Sequence, residues 1–274
     1  MEHLNILMNA LFSVILAPFR GLNHWYGMVA VSIISALILL SVFKATSNRR
    51  AIRRNKNRAI ARLLELMLFK DDIVVNLGAL GRTMLANAAY MGSMVRPMLF
   101  GIVPFALLLA QVSVWFACKP LQPGEPAVVK AVFSEHARSA DADLAIEASA
   151  GVTVETPVVR IPSRGEAAWR VRAVNNGFES VDVLVNGARE RKTVAVGTAP
   201  RPVSPVRVQA GFWRQLAAPA ETPLPAASPL ARIEVVYQQA SFAVAGFNFH
   251  WLLVYVVLTM LLAWALKGPF RVEI

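Results

Sequence analysis

The chain has 274 residues, is 56% hydrophobic with a mean hydropathy of +0.49, and carries 28 Lys/Arg against 17 Asp/Glu for a formal charge of +11. That apolar share exceeds the roughly 45–50% of ordinary soluble domains and is clustered, which excludes a wholly soluble fold and points to a membrane protein with a soluble part. The basic excess sits beside apolar runs, so anionic headgroups and retention on the cytoplasmic side account for it without nucleic acid as partner.

Met1 to Phe19 is apolar but interrupted by Asn5, Asn9 and Pro18. It lacks a basic n-region and a small-residue cleavage site, and at about 1.5 Å per residue it is short for a full span. It reads as an amphipathic interfacial helix occupying 1–24. His24-Trp25-Tyr26 follows as an aromatic belt, and 25–43 is the first transmembrane helix.

Residues 44–96 carry eleven Lys/Arg against three acids, Glu65, Asp71 and Asp72. Two helices are expected here. The first has Ile52, Ala59, Leu63, Leu66 and Met67 near helical spacing with arginines on the opposite face. Asp71 or Asp72 is a candidate N-cap for the second, whose stripe is Ile73, Leu77, Leu80, Met84, Ala88, Met91 and Val95. An antiparallel hairpin zipped along these stripes is the simplest geometry. Residues 97–117 form the second span, opened by Pro97 and kinked at Pro104, with Gln111 its strong polar group at depth. Such a group usually faces protein or a water-filled cavity, and interhelical hydrogen bonding is the preferred role.

From Lys119 the composition changes. Seven alternating runs (Ala127–Phe133, Asp143–Ala148, Val152–Arg160, Ala167–Val174, Ser180–Val185, Lys192–Val196, Ile233–Tyr237) are separated by turn residues such as Asn175-Asn176-Gly177 and Asn186-Gly187. They predict an all-β, immunoglobulin-like sandwich over 119–245, without its disulfide because Cys118 is the only cysteine, and with Trp169 in its core. Seven prolines between Pro200 and Pro229 predict an irregular loop wrapping the domain or touching the membrane, with Phe212-Trp213 dipping into the interface. Residues 247–266 are the third span and 267–274 a short basic tail.

The Lys/Arg bias places 44–96 in the cytoplasm. The N-terminus and the β-domain are then outside and the C-terminal tail inside, in a bacterial inner (cytoplasmic) membrane. The expected architecture is therefore an α-helical membrane protein of three transmembrane helices plus a cytoplasmic helical hairpin, with an extracytoplasmic β-domain.

This arrangement resembles the core of the YidC/Oxa-type membrane insertase superfamily. The likeness rests on topology, on Ser47-Asn48-Arg49-Arg50-Ala51-Ile52 leading into the hairpin, and on the proline-bearing second span. It implies a non-enzymatic insertase or membrane chaperone whose partners are anionic lipids and nascent chains or other membrane proteins. The chain departs from the family in placing a β-domain after the second span and in having no arginine within a span. Arg49, Arg50, Arg53, Arg54, Arg58, Arg62 and Gln111 are the candidate client or lipid contacts. A structural or adaptor subunit of an envelope complex, binding a partner through its β-domain, is the competing reading. No catalytic residues, cofactor, metal or small-molecule substrate are expected: the four histidines are scattered, and Glu135-His136 with Asp141 and Asp143 reads as a solvated loop.

Overall fold

The computed structural model describes residues 2–68, 73–134, 142–244 and 246–270. The chain divides into two compact units: Met1–Ala30 with Leu109–Tyr255, and Val31–Leu108 with Val256–Ile274. Three helices are long and apolar enough to cross a membrane, and a separate β-rich domain accompanies them.

The helices begin where the sequence offers caps. Asn23 accepts a hydrogen bond from the Trp25 amide at 3.2 Å and opens α2 (His24–Thr46). Asn48 accepts from the Ala51 amide at 3.1 Å and opens α3 (Arg49–Leu68). Each side-chain oxygen satisfies one of the amides a helix start leaves without partner. The proposed cap at Asp71 or Asp72 lies outside the described residues. α4 (Ile73–Phe116) runs 44 residues without interruption, with Pro97 and Pro104 inside it. The boundary expected at Arg96–Pro97 is therefore absent: the second arm helix and the second span are one element.

In the β-domain, alternation dictates the fold. β1 (Pro126–Phe133) buries Ala127, Val129, Ala131 and Phe133, and the strand at Glu166–Ala173 buries Ala167, Trp169, Val171 and Ala173. Period-two burial of this kind puts one face of each strand on a core. With β2 (Leu144–Ala148), β3 (Val152–Val154), β4 (Val159–Ile161), β5 (Glu166–Ala173), β6 (Gly177–Val185), β7 (Ala188–Val196), β8 (Val206–Val208) and β9 (Leu230–Val235), two sheets form. One has the order β3-β5-β1-β9-β8 with β4 also on β5; the other is β2-β6-β7. Val129, Trp169 and Val171 of the first and Val181, Val183, Val194 and Val196 of the second share one core. The β6–β7 hairpin turns at Asn186-Gly187, both at positive φ (50° and 81°), a left-handed pair that Asn and Gly tolerate best.

Three expectations are corrected here. The run Val152–Arg160 is two short strands, because Pro157 offers no amide to continue the ladder. Pro200–Pro229 holds β8 and a short helix, α5 (Phe212–Ala217), as well as irregular chain. Phe247–His250 is not the start of the third span. It is a strand, β11, paired antiparallel with β10 (Ser241–Val244) around Gly246 at φ 86°, and α6 runs from Trp251 to Phe270.

Candidate functional site: a basic, apolar helical arm

Within the second unit, α3 and the first half of α4 pack antiparallel. Asn55 Nδ2 donates to Ala89 O at 3.2 Å, Thr83 Oγ1 lies 3.1 Å from Arg62 O, and Arg82 Nη2 donates to Glu65 Oε1 at 3.1 Å. As α3 positions rise, their α4 partners fall, which is the signature of a hairpin. The expected hairpin is thus present, but its seam is not the expected one.

The closed face of α4 is Ala79, Thr83 and Ala86, at spacings of four and three. On α3 the buried positions are Ile52 and Ala59. The stripe expected to zip the hairpin is instead turned outward: Met84 is 66% exposed, Met91 69%, and Leu80 and Val95 about half. The two stripes differ by a single residue, about 100° around a helix, and it is the small-residue stripe that is buried. Burying Thr83 costs nothing here, since its hydroxyl is 2.8 Å from Ala79 O, one turn back.

The outward surface therefore has two characters. Toward the α3 N-terminus, Arg50, Arg53, Arg54 and Arg58 are exposed. Toward the other end Ile60, Leu63, Leu64 and Met67 of α3, with Leu80, Met84 and Leu85 of α4, present bare apolar side chains. Arg62 is half-buried and engaged with Glu65 at 2.5 Å, so it belongs to the hairpin's own fabric rather than to its outer face. The side chain of Arg49 lies outside the described residues.

Glu65 is held below the usual carboxylate range, chiefly by the Arg62 hydrogen bond and further by Arg82. A depressed carboxylate contributes fully above its unfolded value near 4.5 and loses that contribution as pH falls through its lower folded value. Spin labels at Asn57→Cys and Asn87→Cys, on a Cys118→Ser background, are expected to separate on acidification below that value, and Glu65→Gln to abolish the pH dependence. An unchanged distance between pH 7 and pH 3 would count against the bridge.

Each of the three helices long and apolar enough to cross a membrane also carries a buried polar group without a partner among the described residues. Gln111 of α4 is 2% exposed and its carboxamide oxygen has no hydrogen-bond partner among the described residues. The same holds for the hydroxyls of Ser32 in α2 and Thr259 in α6. The carboxamide oxygen of Gln111 thus does not make the interhelical hydrogen bond expected for that side chain among the described residues. Measured along its own helix at about 1.5 Å per residue, Gln111 lies about 8 Å from the Phe116 end, Ser32 about 12 Å from the His24 end and Thr259 about 12 Å from the Trp251 end.

In the first unit, a cleft of about 390 Å³ opens between aromatic walls, Trp25, Trp115 and Phe242, with Lys119 and Gln122 among its polar lining. Trp25 meets Phe242 edge-on at 5.0 Å. Among the described residues, no three His, Cys, Asp or Glu side chains gather as metal ligands do, and Glu135, His136 and Asp141 lie outside them.

Sequence reasoning missed one buried ionic group. Lys192 on β7 is fully buried, and its ammonium donates to Ser204 O at 2.6 Å and Glu221 Oε1 at 3.0 Å. The signal was present in the register: Val194 and Val196 face the core, so Lys192 and Glu190, at the same parity, must face inward too. Comparison with known proteins finds no matching family model, no matching curated protein and no matching solved structure. The class that fold and site define is a chain with three helices able to cross a membrane, a basic helical arm and a β-rich domain.

Proposed function

We propose that this is a multi-pass membrane protein of the bacterial inner membrane that acts, without catalysis, as a YidC/Oxa-like insertase or membrane chaperone. The carrying observation is the outer surface of the arm: a Met/Leu-rich face beside four exposed arginines, closed behind by a small-residue seam. Flexible Met and Leu side chains adapt to apolar segments of varied sequence, and the arginines suit anionic headgroups or the acidic flanks of a client. Unpartnered oxygens on Ser32 and Thr259 of the second unit supply polar contact for a segment on its way into lipid, and Gln111 of the first unit carries another such oxygen.

In this reading the arm is cytoplasmic and the β-domain is outside. Contacts at the helix ends support it. Lys44 at the end of α2 lies 5.9 Å from the ring of Phe270 at the end of α6, and Lys267 lies 4.8 Å from the Trp264 ring. The basic ends of α2 and α6 thus come together, as they do when both helices finish on one side. A photo-crosslinking residue at Arg58 or Leu63 is expected to capture nascent membrane proteins. An empty result, with normal membrane-protein insertion after depletion, would overturn the reading.

The competing reading, an envelope adaptor, is favoured by the aromatic cleft around Trp25 and Phe242. In it the sandwich is immunoglobulin-like and serves as a binding module. Purification in mild detergent separates the two, because an adaptor brings a stoichiometric partner with it.

A further inference from the structure

The first helix, α1 (Glu2–Leu16), is inverted relative to a helix on a water-facing surface. Its buried positions Asn5, Phe12 and Leu16, with half-buried Asn9, fall on one face at spacings of four, three and four. The amide groups of that face are used inside the protein: Asn5 Nδ2 donates to Gln215 O at 3.2 Å and Asn9 Nδ2 to Pro219 O at 2.9 Å. The outward face is Leu4, Ile6, Leu7, Leu11 and Val14, with Leu7 66% and Val14 71% exposed. Two asparagines turn in beside Phe12 and Leu16, while five large apolar side chains turn out. In water such a helix exposes a broad apolar face, which soluble surface helices avoid.

The segment it grips continues the same surface. Gln215 belongs to α5, whose Phe212 and Trp213 pack edge-on at 5.0 Å and are 57% and 76% exposed. One asparagine bond ties α1 to α5 and the other to Pro219 just beyond it, so the bare apolar side chains lie on linked elements of the first unit.

We propose that α1 and α5 together form a lipid-facing surface that seats the β-domain at the boundary of headgroups and acyl chains in the adjoining monolayer. The proposal rests on the membrane-spanning reading of α2. Seven residues separate the end of α1 from His24, the first residue of α2, and a chain of that length reaches at most about 25 Å. α1 is thereby confined to the neighbourhood of the bilayer. Charge agrees with that occupant: Arg20 and Arg214 are exposed at the margins, Arg20 over the ring of Trp115 at 5.7 Å, placed as cations that meet lipid phosphates. An exposed Trp beside basic residues is the usual composition of such a boundary.

The test uses the full chain in lipid nanodiscs on a Cys118→Ser background. Single cysteines at Val14, Trp213, Ile38 and Val159 are spin-labelled, and access to oxygen and to an aqueous nickel chelate is compared. Labels at 14 and 213 are expected to lose nickel access and gain oxygen access relative to 159, an exposed site on β4. Nickel access at 14 and 213 equal to that at 159, with a lipid signature at 38, overturns this proposal and leaves the spanning reading intact. An aqueous signature at 38 overturns the spanning reading itself. Loss of both oxygen and nickel access at 213 marks a covering protein or a second copy, and also overturns the proposal. Asn5→Ala with Asn9→Ala is expected to return nickel access at 213, since the two helices are then no longer coupled.

Discussion

Glu221→Gln is expected to lower the stability of the β-domain by about 3–5 kcal/mol, the cost of leaving a buried charge without its counter-ion. Lys192 has no exposed surface, and Glu221 is its only carboxylate partner within 4 Å among the described residues. Burial holds the Lys192 pKa below its ordinary value of 10.5, opposed by the attraction of Glu221 and abetted by Arg207. The unfolded chain therefore binds the extra proton over the window between the folded value and 10.5, so stability rises with pH across that window. Without Glu221 the window extends to lower pH, and the variant recovers part of its loss in alkaline solution. Thermal unfolding of the full chain in detergent, followed through Trp169, which is 2% exposed in the core, reads both effects. Lys192→Met with Glu221→Leu is expected to regain much of the loss, since an apolar pair replaces the ionic one. Equal stability of Glu221→Gln and the parent at pH 7 would show that the pair is not what fastens the proline-rich segment to β7.

The second large effect has the opposite sign. Gln111→Leu is expected to raise stability by about 1–3 kcal/mol, because an unpartnered buried oxygen carries roughly that penalty and Leu fills a similar volume. The same change is expected to reduce client crosslinking from Arg58, as stabilising substitutions at working sites usually cost function. A gain in stability with crosslinking unchanged would remove Gln111 from the proposed path of the client. A loss of stability would mean that its oxygen has a partner in the membrane.

Much of this architecture was legible in the residues. Uncharged runs marked α2 and the third span, and alternation with turn residues located β1, β5, β6 and β7. Boundaries were harder where two periods coexist. Phe247-Asn248-Phe249-His250 is apolar enough to extend a span, yet its alternation also fits a strand, and pairing with β10 decides in favour of the strand. Around Ala79 to Val95 the sequence offers two helical stripes one residue apart. Hydrophobicity selects the Met/Leu stripe for the seam, whereas the hydrogen bonds of Asn55 and Thr83 across the hairpin go with burial of the Ala/Thr one. Asn5 and Asn9 read as interruptions of an apolar helix because their acceptors lie 210 residues away, beyond any local pattern. Lys192 was the exception, a buried charge that strand parity alone predicts.

That separation of 210 residues bears on biosynthesis. At roughly 5–20 residues per second, about 10–40 s pass between the synthesis of Asn5 and Asn9 and that of the carbonyls they bind. During that interval two amide side chains on an otherwise apolar helix wait without their partners, while α2, α3 and α4 are already made. Docking of α1 on α5 is consequently a late closure of the nascent chain, and it follows completion of most of the β-domain.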